Sequence, residues 1–359
     1  MYYTQDFDYI VVGQGLAGSA LSYQLIKAGK SVLVIDQDNK HTSSKVAAGL
    51  YNPVTGRKMV KTWNADLLFP YLVDFYKEIE AECHDKFLHE IPIYRPFISM
   101  EEQNEWMGKS SMPEYEKYVK QVHRRSYYRS MKDEYGGIEL NYSGYLDIPR
   151  YLTAIRKYLL AHEMLLEECF DINSVVYSEQ LVSYKQYRAN KLIFCEGVQS
   201  TGNQYWDWLP FKPVKGEILK IRTDLQANNI LNRGVFVVPL EEGVFRVGSN
   251  YNNHDLTVQP TAKALEEIEG KLNELIDIKY KIIDHVAGVR PATRDRRPFL
   301  GVHPQHPNIG IFNGLGAKGV SLAPYYAEHY LKFLESGEEL QQEVNISRYF
   351  SLYYDSLDN

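Results

Sequence analysis

Asp8-Tyr9-Ile10-Val11-Val12-Gly13-Gln14-Gly15-Leu16-Ala17-Gly18 decides the fold, read together with Ser31–Ile35 and Asp36 behind it. The apolar run Tyr9–Val12 enters Gly-x-Gly-x-x-Gly without a break, and Leu16–Ala28 continues at helical spacing. A second apolar strand then ends on an acid about 20 residues past the glycines, the context of a dinucleotide-binding βαβ unit. Each residue type has a physical reason. Gly13 permits the tight turn, Gly15 lets the backbone approach a pyrophosphate, and Gly18 lets helix and strand pack closely. The helix N-terminus offers unpaired N–H groups to the anion. Asp36 would accept hydrogen bonds from an adenosine ribose, and a carboxylate there disfavours a 2′-phosphate. The motif alone does not choose between NAD and FAD.

Working outward, Asn64–Glu82 carries Leu67, Leu68, Tyr71, Leu72, Phe75 and Ile79 at helical spacing, and Leu88–Ile98 reads as extended. Gly136-Gly137 marks a turn. Asp147–Ala161 predicts a helix with Asp147 as cap and Pro149 in the first turn. Short strands follow at Leu165–Phe170 and Lys191–Cys195. Lys215–Arg222, Gly234–Pro239 and Val244–Asn250 alternate like antiparallel strands, Ala262–Leu275 is helical, and Asn308–Phe312 precedes a helix through Leu334. Parallel-type elements at the start, middle and end, with strand-rich blocks between, predict an α/β Rossmann-like domain and a second, antiparallel-sheet α+β domain.

Composition excludes several classes. With 359 residues, 44% hydrophobic and 24% charged, the chain suits two lobes, and its mean hydropathy is −0.38. No apolar run approaches the roughly 18–20 residues of a membrane helix, and the first ten residues lack a basic signal region. Three cysteines without CxxC spacing suit a reducing cytoplasm. A net charge of −6 offers nucleic acid no general attraction, although His123–Arg125 is locally basic. No metal-ligand spacing, Ser/His/Asp set or HExxH motif occurs, so neither a metal nor hydrolase chemistry is expected.

A second glycine pattern, Gly314-Leu315-Gly316-Ala317-Lys318-Gly319, also follows a strand and opens a helix, but no acid-tipped strand succeeds it. It is therefore read as an electrostatic device, whose dipole and N–H groups stabilise negative charge on the pyrimidine edge of a reduced flavin.

An ordered set of segments resembles the D-amino-acid-oxidase superfamily of FAD-dependent amine oxidoreductases, which includes glycine oxidase and sarcosine oxidase. They are the fingerprint, Ser43–Leu50, Tyr145-Leu146-Asp147, Phe194–Gly197, Lys215-Gly216-Glu217, Val237–Pro239, Val247–Ser249 and Gly288–Thr293 with Asp295, Pro298 and Gly301. Gly49–Pro53 and Arg290–Asp295 also resemble the oxidase half of a tRNA-wobble-uridine modification enzyme. The resemblance implies an FAD-binding domain of residues 1–85, 145–212 and 286–359 and a substrate domain of 86–144 and 213–285. It implies hydride transfer from the C–N carbon of a small amine or amino acid to flavin N5, with hydrolysis of the imine. The implied FAD contacts are Gly13, Gly15, Leu16, Ala17, Gly18, Asp36, Gln37, Ser43, Ser44, Ala47, Ala48, Gly49, Ile172, Gly197, Gly314, Gly316, Ala317, Lys318, Gly319 and Val320.

Arg290 matches the family arginine that clamps a substrate carboxylate, against the alternative of an interdomain salt bridge. Lys318 matches a lysine near flavin and substrate, against an exposed helix-start lysine. Tyr51 and Tyr251 are candidates for the pocket wall. The run Arg294–Arg297 reads mainly as a solvated loop or ion-pair network, against the alternative of an additional substrate contact, and Cys195 as a buried small residue. His41 is a candidate for covalent flavin attachment. Two further activities stay open: a 2-hydroxy-acid dehydrogenase using His285 or His303 as base, and a tRNA-modifying oxidase acting on a carboxymethylamino group. The electron acceptor, oxygen or another, and the oligomeric state also stay open.

Overall fold

In the computed structural model, which describes residues 5–39, 42–56, 58–178 and 180–357, strand β1 (Gln5–Val12) pairs in parallel with β2 (Val32–Ile35) and with the strand Tyr187–Phe194. His41 lies outside the described residues. Ile10, Val12, Leu33 and Ile35 enter one apolar cluster while Tyr9, Val11, Val32 and Val34 enter another. Both faces are covered, which is why these strands are unbroken apolar runs rather than alternating ones. Ile309–Asn313 adds in parallel to the end of Tyr187–Phe194, and the hairpin Val175–Tyr177/Val182–Tyr184 adds antiparallel to its start. Leu165–Leu166 extends the other edge beside β2. Helix α1 (Leu16–Lys27) and the helix Gly319–Ser336 pack side by side over this sheet.

A second eight-stranded sheet runs in the order Tyr280–Arg290, Val214–Thr223, Val244–Gly248, Val235–Glu241, Ile230–Arg233, Ile93–Pro96, Gly137–Leu140, Val119–His123. Every pairing is antiparallel except Ile230–Arg233 with Ile93–Pro96. Because strand side chains alternate, Leu219, Ile221, Val237 and Val247 pack on Ile268 and Leu272 of the helix Ala262–Leu275. Ile93, Ile138, Leu140, Ile230 and Val238 join the cluster of Val11 and Leu21 on the opposite face. That second face looks toward the first lobe.

Local signals placed most elements. Asp147 caps Ile148–Ala161, its side chain accepting the Arg150 N–H at 3.2 Å, and Thr261 caps Ala262–Leu275. The strand expected at Leu165–Phe170 is only Leu165–Leu166. The eleven-residue strand Tyr280–Arg290 was not expected at all. It is a sheet edge with mostly half-exposed or exposed residues up to Val286, so it lacks the apolar alternation of its neighbours. It also carries the second sheet across the boundary expected at residue 286.

Candidate active site at the lobe interface

The first glycine turn is tightly constrained. Gly13 has φ +97°, and a Cβ there would stand 2.7 Å from the Cys195 carbonyl oxygen. A Cβ on Gly18 would fall 1.8 Å from the Gly13 carbonyl oxygen, so no other residue fits without moving backbone. Gly15 precedes α1 without a side-chain cap, and the Leu16 N–H donates to Ser44 Oγ at 3.3 Å. The amides of Leu16, Ala17 and Gly18 have no acceptor within the helix, which leaves an anion-seeking end. Asp36 stands at the tip of β2. Its carboxylate accepts from the backbone N–H of Gln14 (2.8 Å) and Asp38 (2.7 Å) and from Arg156 Nη1 (3.2 Å).

The second turn is pinned to the first lobe by Asn313. Its Oδ1 accepts the Gly314 N–H, and its Nδ2 donates to the Gly197 carbonyl and Ser200 Oγ, all at 2.8 Å. Gly314 and Gly316 have φ +75° and +55°. Gly319 then opens its helix so close to α1 that its Cβ would lie 2.8 Å from Leu16 Cδ1. Two helix N-termini thus meet at one cleft, with Ser43, Ser44 and Ala47 half-buried and Ala48 and Gly49 buried on the neighbouring segment.

Facing this cleft, Arg290 crosses Gly216 so closely that a Cβ on Gly216 would sit 2.0 Å from Arg290 Nη2. Nη2 donates to Ser249 Oγ at 2.7 Å, Nη1 donates to the Lys215 carbonyl at 3.4 Å, and the Tyr251 ring lies 4.7 Å from the guanidinium. Burial lowers the Arg290 pKa, and Tyr251 partly offsets this. No carboxylate lies within ion-pair distance of Arg290 among the described residues, which removes the interdomain salt-bridge reading.

The reverse face of the same strands holds two fully buried charged side chains, Lys215 and Glu217. Lys215 Nζ donates to Asp255 (2.6 Å) and to the Gln259 carbonyl (2.5 Å) and stands 3.6 Å from Glu217. Glu217 accepts from the Thr261 N–H and hydroxyl at 2.8 and 2.9 Å. Paired backbone bonds between Lys215 and Asn252, at 2.8 and 3.0 Å, fasten the loop that carries Tyr251.

Lys318 caps the helix after the second turn, with Nζ 3.5 Å from Thr62 Oγ1. It is solvent-exposed yet walled by protein. Desolvation lowers its pKa, and Arg297 and Arg296 lower it further.

Several expected residues lie elsewhere. Tyr51 is not an open pocket wall: it is 3% exposed, with its hydroxyl 3.5 Å from the His89 carbonyl. His285 stands 2.9 Å from Glu217 on the reverse face, away from Arg290. His303 is buried among Tyr205, Trp206, Trp208 and Tyr353, and burial pulls its pKa down to about 4. Neither histidine can serve as base at the cleft, which removes the support for hydroxy-acid oxidation. Ile172 packs against the apolar cluster on the far side of the first sheet, and Gln37 is exposed beyond Asp36. Cys195 is buried, with its thiol pKa raised above the usual range. No metal-holding cluster and no membrane-length apolar helix occur among the described residues. Thr62 and Trp63 carried no sequence signal, and Ser249 was read only as part of a strand, because only long-range pairing brings them to Lys318, Arg297 and Arg290.

A nucleotide-binding lobe facing an arginine-bearing antiparallel sheet defines a dinucleotide-dependent oxidoreductase. The chain belongs to the FAD dependent oxidoreductase family, which it matches over residues 8–331. It is 24% identical to a glycine oxidase of Pseudomonas putida, covering 92% of this chain and 95% of that protein. It is 22% identical to the tRNA 5-methylaminomethyl-2-thiouridine biosynthesis bifunctional protein of Marinobacter nauticus, covering 89% of this chain and 54% of that one. The crystal structure of glycine oxidase from Geobacillus kaustophilus superposes with a TM-score of 0.76 at 19% identity, over 96% of this chain and 98% of that one. The fold is shared, and FAD is the cofactor. The helix-start amides at Gly15–Gly18, of which Leu16 donates only a long bond to Ser44 Oγ, the Asp36 carboxylate and the two converging helix ends fit a dinucleotide with an anionic middle.

Proposed function

We propose that the protein oxidises the C–N bond of a small amine or amino acid bearing a free carboxylate. One observation carries this reading: Arg290 is desolvated, held by neutral partners, and has no carboxylate of its own among the described residues. A planar guanidinium takes a carboxylate bidentately and thereby orients the adjoining carbon. Bound FAD supplies the two-electron acceptor. Tyr251 covers the guanidinium, and the second turn with Lys318 presents N–H groups and an ammonium to negative charge. A neutral amine needs no dedicated strong base, in keeping with a site of cations and neutral groups. Oxygen is proposed as the acceptor. The cytoplasm is proposed as the location, supported by three free thiols.

The test is anaerobic addition of glycine, sarcosine and other amino acids to the purified holoenzyme. Loss of the oxidised flavin band with a carboxylate-bearing amine, and its return on admitting air, are expected. If none of them bleaches the flavin, the reading fails.

A second reading, a carboxymethylamino group on tRNA, presents the same amine and carboxylate to Arg290. Arg124, Arg125 and Arg129 favour it, being exposed at one end of the second sheet with no acidic partner in ion-pair range among the described residues. A gel shift titrated with salt decides it.

A further inference from the structure

The rim of the cleft holds more positive charge than a zwitterionic amino acid balances. Ala292 and Thr293 line the second glycine turn, where a Cβ on Gly314 would meet Thr293 Cγ2 at 2.6 Å, and Arg294–Arg297 follow directly. Asp295 does not neutralise this run. Its Oδ2 accepts from Arg348 Nε at 3.0 Å and the Tyr349 hydroxyl at 2.9 Å, and its Oδ1 accepts the Arg297 N–H at 3.0 Å. The Arg297 guanidinium lies over Trp63, 4.1 Å from the ring centre, and Trp63 stacks on Tyr326 at 5.7 Å. Thr62, the preceding residue, holds Lys318 Nζ at 3.5 Å. One dipeptide therefore supports two cations side by side, and exposed Arg296 adds a third. The nearby Glu343 is the acceptor of Trp63 Nε1 at 3.4 Å and is not ion-paired to Arg297. Among the described residues no carboxylate pairs with Lys318, Arg296 or Arg297 within 4 Å. Like charges gathered this way repel: burial is the main cause that lowers the Lys318 pKa, and Arg297 and then Arg296 lower it further.

We propose that Arg297, with Arg296 and Lys318, forms a second anion subsite. The substrate is then an amine whose nitrogen substituent carries an anionic group in addition to the carboxylate at Arg290. This rests on the reading of Arg290 as the first carboxylate clamp.

The test compares kcat/KM of the holoenzyme for N-propylglycine and N-(2-carboxyethyl)glycine, secondary amines of similar size that differ in tail charge. The charged tail is expected to win by roughly tenfold or more at low ionic strength, with the preference shrinking as salt rises. In Arg297→Gln the ratio falls toward one. Equal turnover of the two by the wild type, or an undiminished ratio in Arg297→Gln, overturns the subsite and leaves the clamp standing. Failure of both to bleach the flavin, while glycine or sarcosine does, overturns the subsite alone; failure of every carboxylate-bearing amine overturns the clamp and the subsite with it. Should Arg297→Gln not fold, the wild-type pair and salt series still decide.

Discussion

Gly319 lies against Leu16: a Cβ on Gly319 would approach Leu16 Cδ1 to 2.8 Å, although 303 positions separate the two in the chain. Each residue opens a helix, so two positive dipole ends share one cleft. Such ends repel when nothing anionic lies near them. The absence of a side chain on Gly319 lets the helices approach, and it gives the first prediction its contrast.

Gly18→Ala should be far more damaging than Gly319→Ala. The new methyl at 18 meets a backbone carbonyl at 1.8 Å, which cannot yield, whereas at 319 it meets the end of a flexible side chain. We expect Gly18→Ala to exceed the usual 1–3 kcal/mol of overpacking and to lose flavin on purification. Gly319→Ala should cost about 1 kcal/mol or less, since alanine favours the helix. Thermal midpoints and the flavin-to-protein absorbance ratio measure both.

Arg290→Ala should raise KM for carboxylate-bearing amines by roughly a hundredfold, the scale of losing one partner of a desolvated charged pair. FAD should remain bound. Arg290→Lys should recover only part, because an ammonium cannot present the bidentate fork. Steady-state kinetics with a matched amine lacking the carboxylate supply the control, and an equal loss with that amine contradicts the clamp.

Binding of a simple carboxylate should weaken in alkali before free lysine would titrate. Desolvation, then Arg297 and Arg296, lower the Lys318 pKa, so its charge is lost below the ordinary value of 10.5. The sign for stability is opposite. The unfolded chain holds this proton more tightly, so stability rises as pH climbs through the folded pKa and levels off above 10.5. Acetate titrations followed by flavin absorbance across pH should show the alkaline limb, and Lys318→Arg should move it upward.

Glu217→Ala should destabilise the fold by about 1–3 kcal/mol, because it leaves the Thr261 N–H and hydroxyl without their acceptor, while buried Lys215 keeps Asp255 and the Gln259 carbonyl. Glu217→Gln keeps an acceptor and should cost less. Denaturant midpoints at fixed FAD report the difference. Loosening of residues 250–261, seen as faster amide exchange, should accompany the loss.

The βαβ unit from Asp8 to Asp36 was legible because its constraints are contiguous: an apolar strand, glycines where a Cβ would collide, a helix and an acid at the next strand tip. The cap at Asp147 and the second glycine turn were legible for the same reason. Residue type did not reveal which way a side chain would face. Tyr51 went into the core, and His285 went to the reverse face of an edge strand whose polar pattern hid it. Arg290 was identified by resemblance, but its neighbours Gly216, Ser249 and Tyr251 come from other strands and a loop. Thr62-Trp63 meets Lys318 and Arg297 across more than 200 residues. Strand register and lobe packing set those meetings, and both depend on the summed burial of distant apolar residues, which no short window of sequence contains.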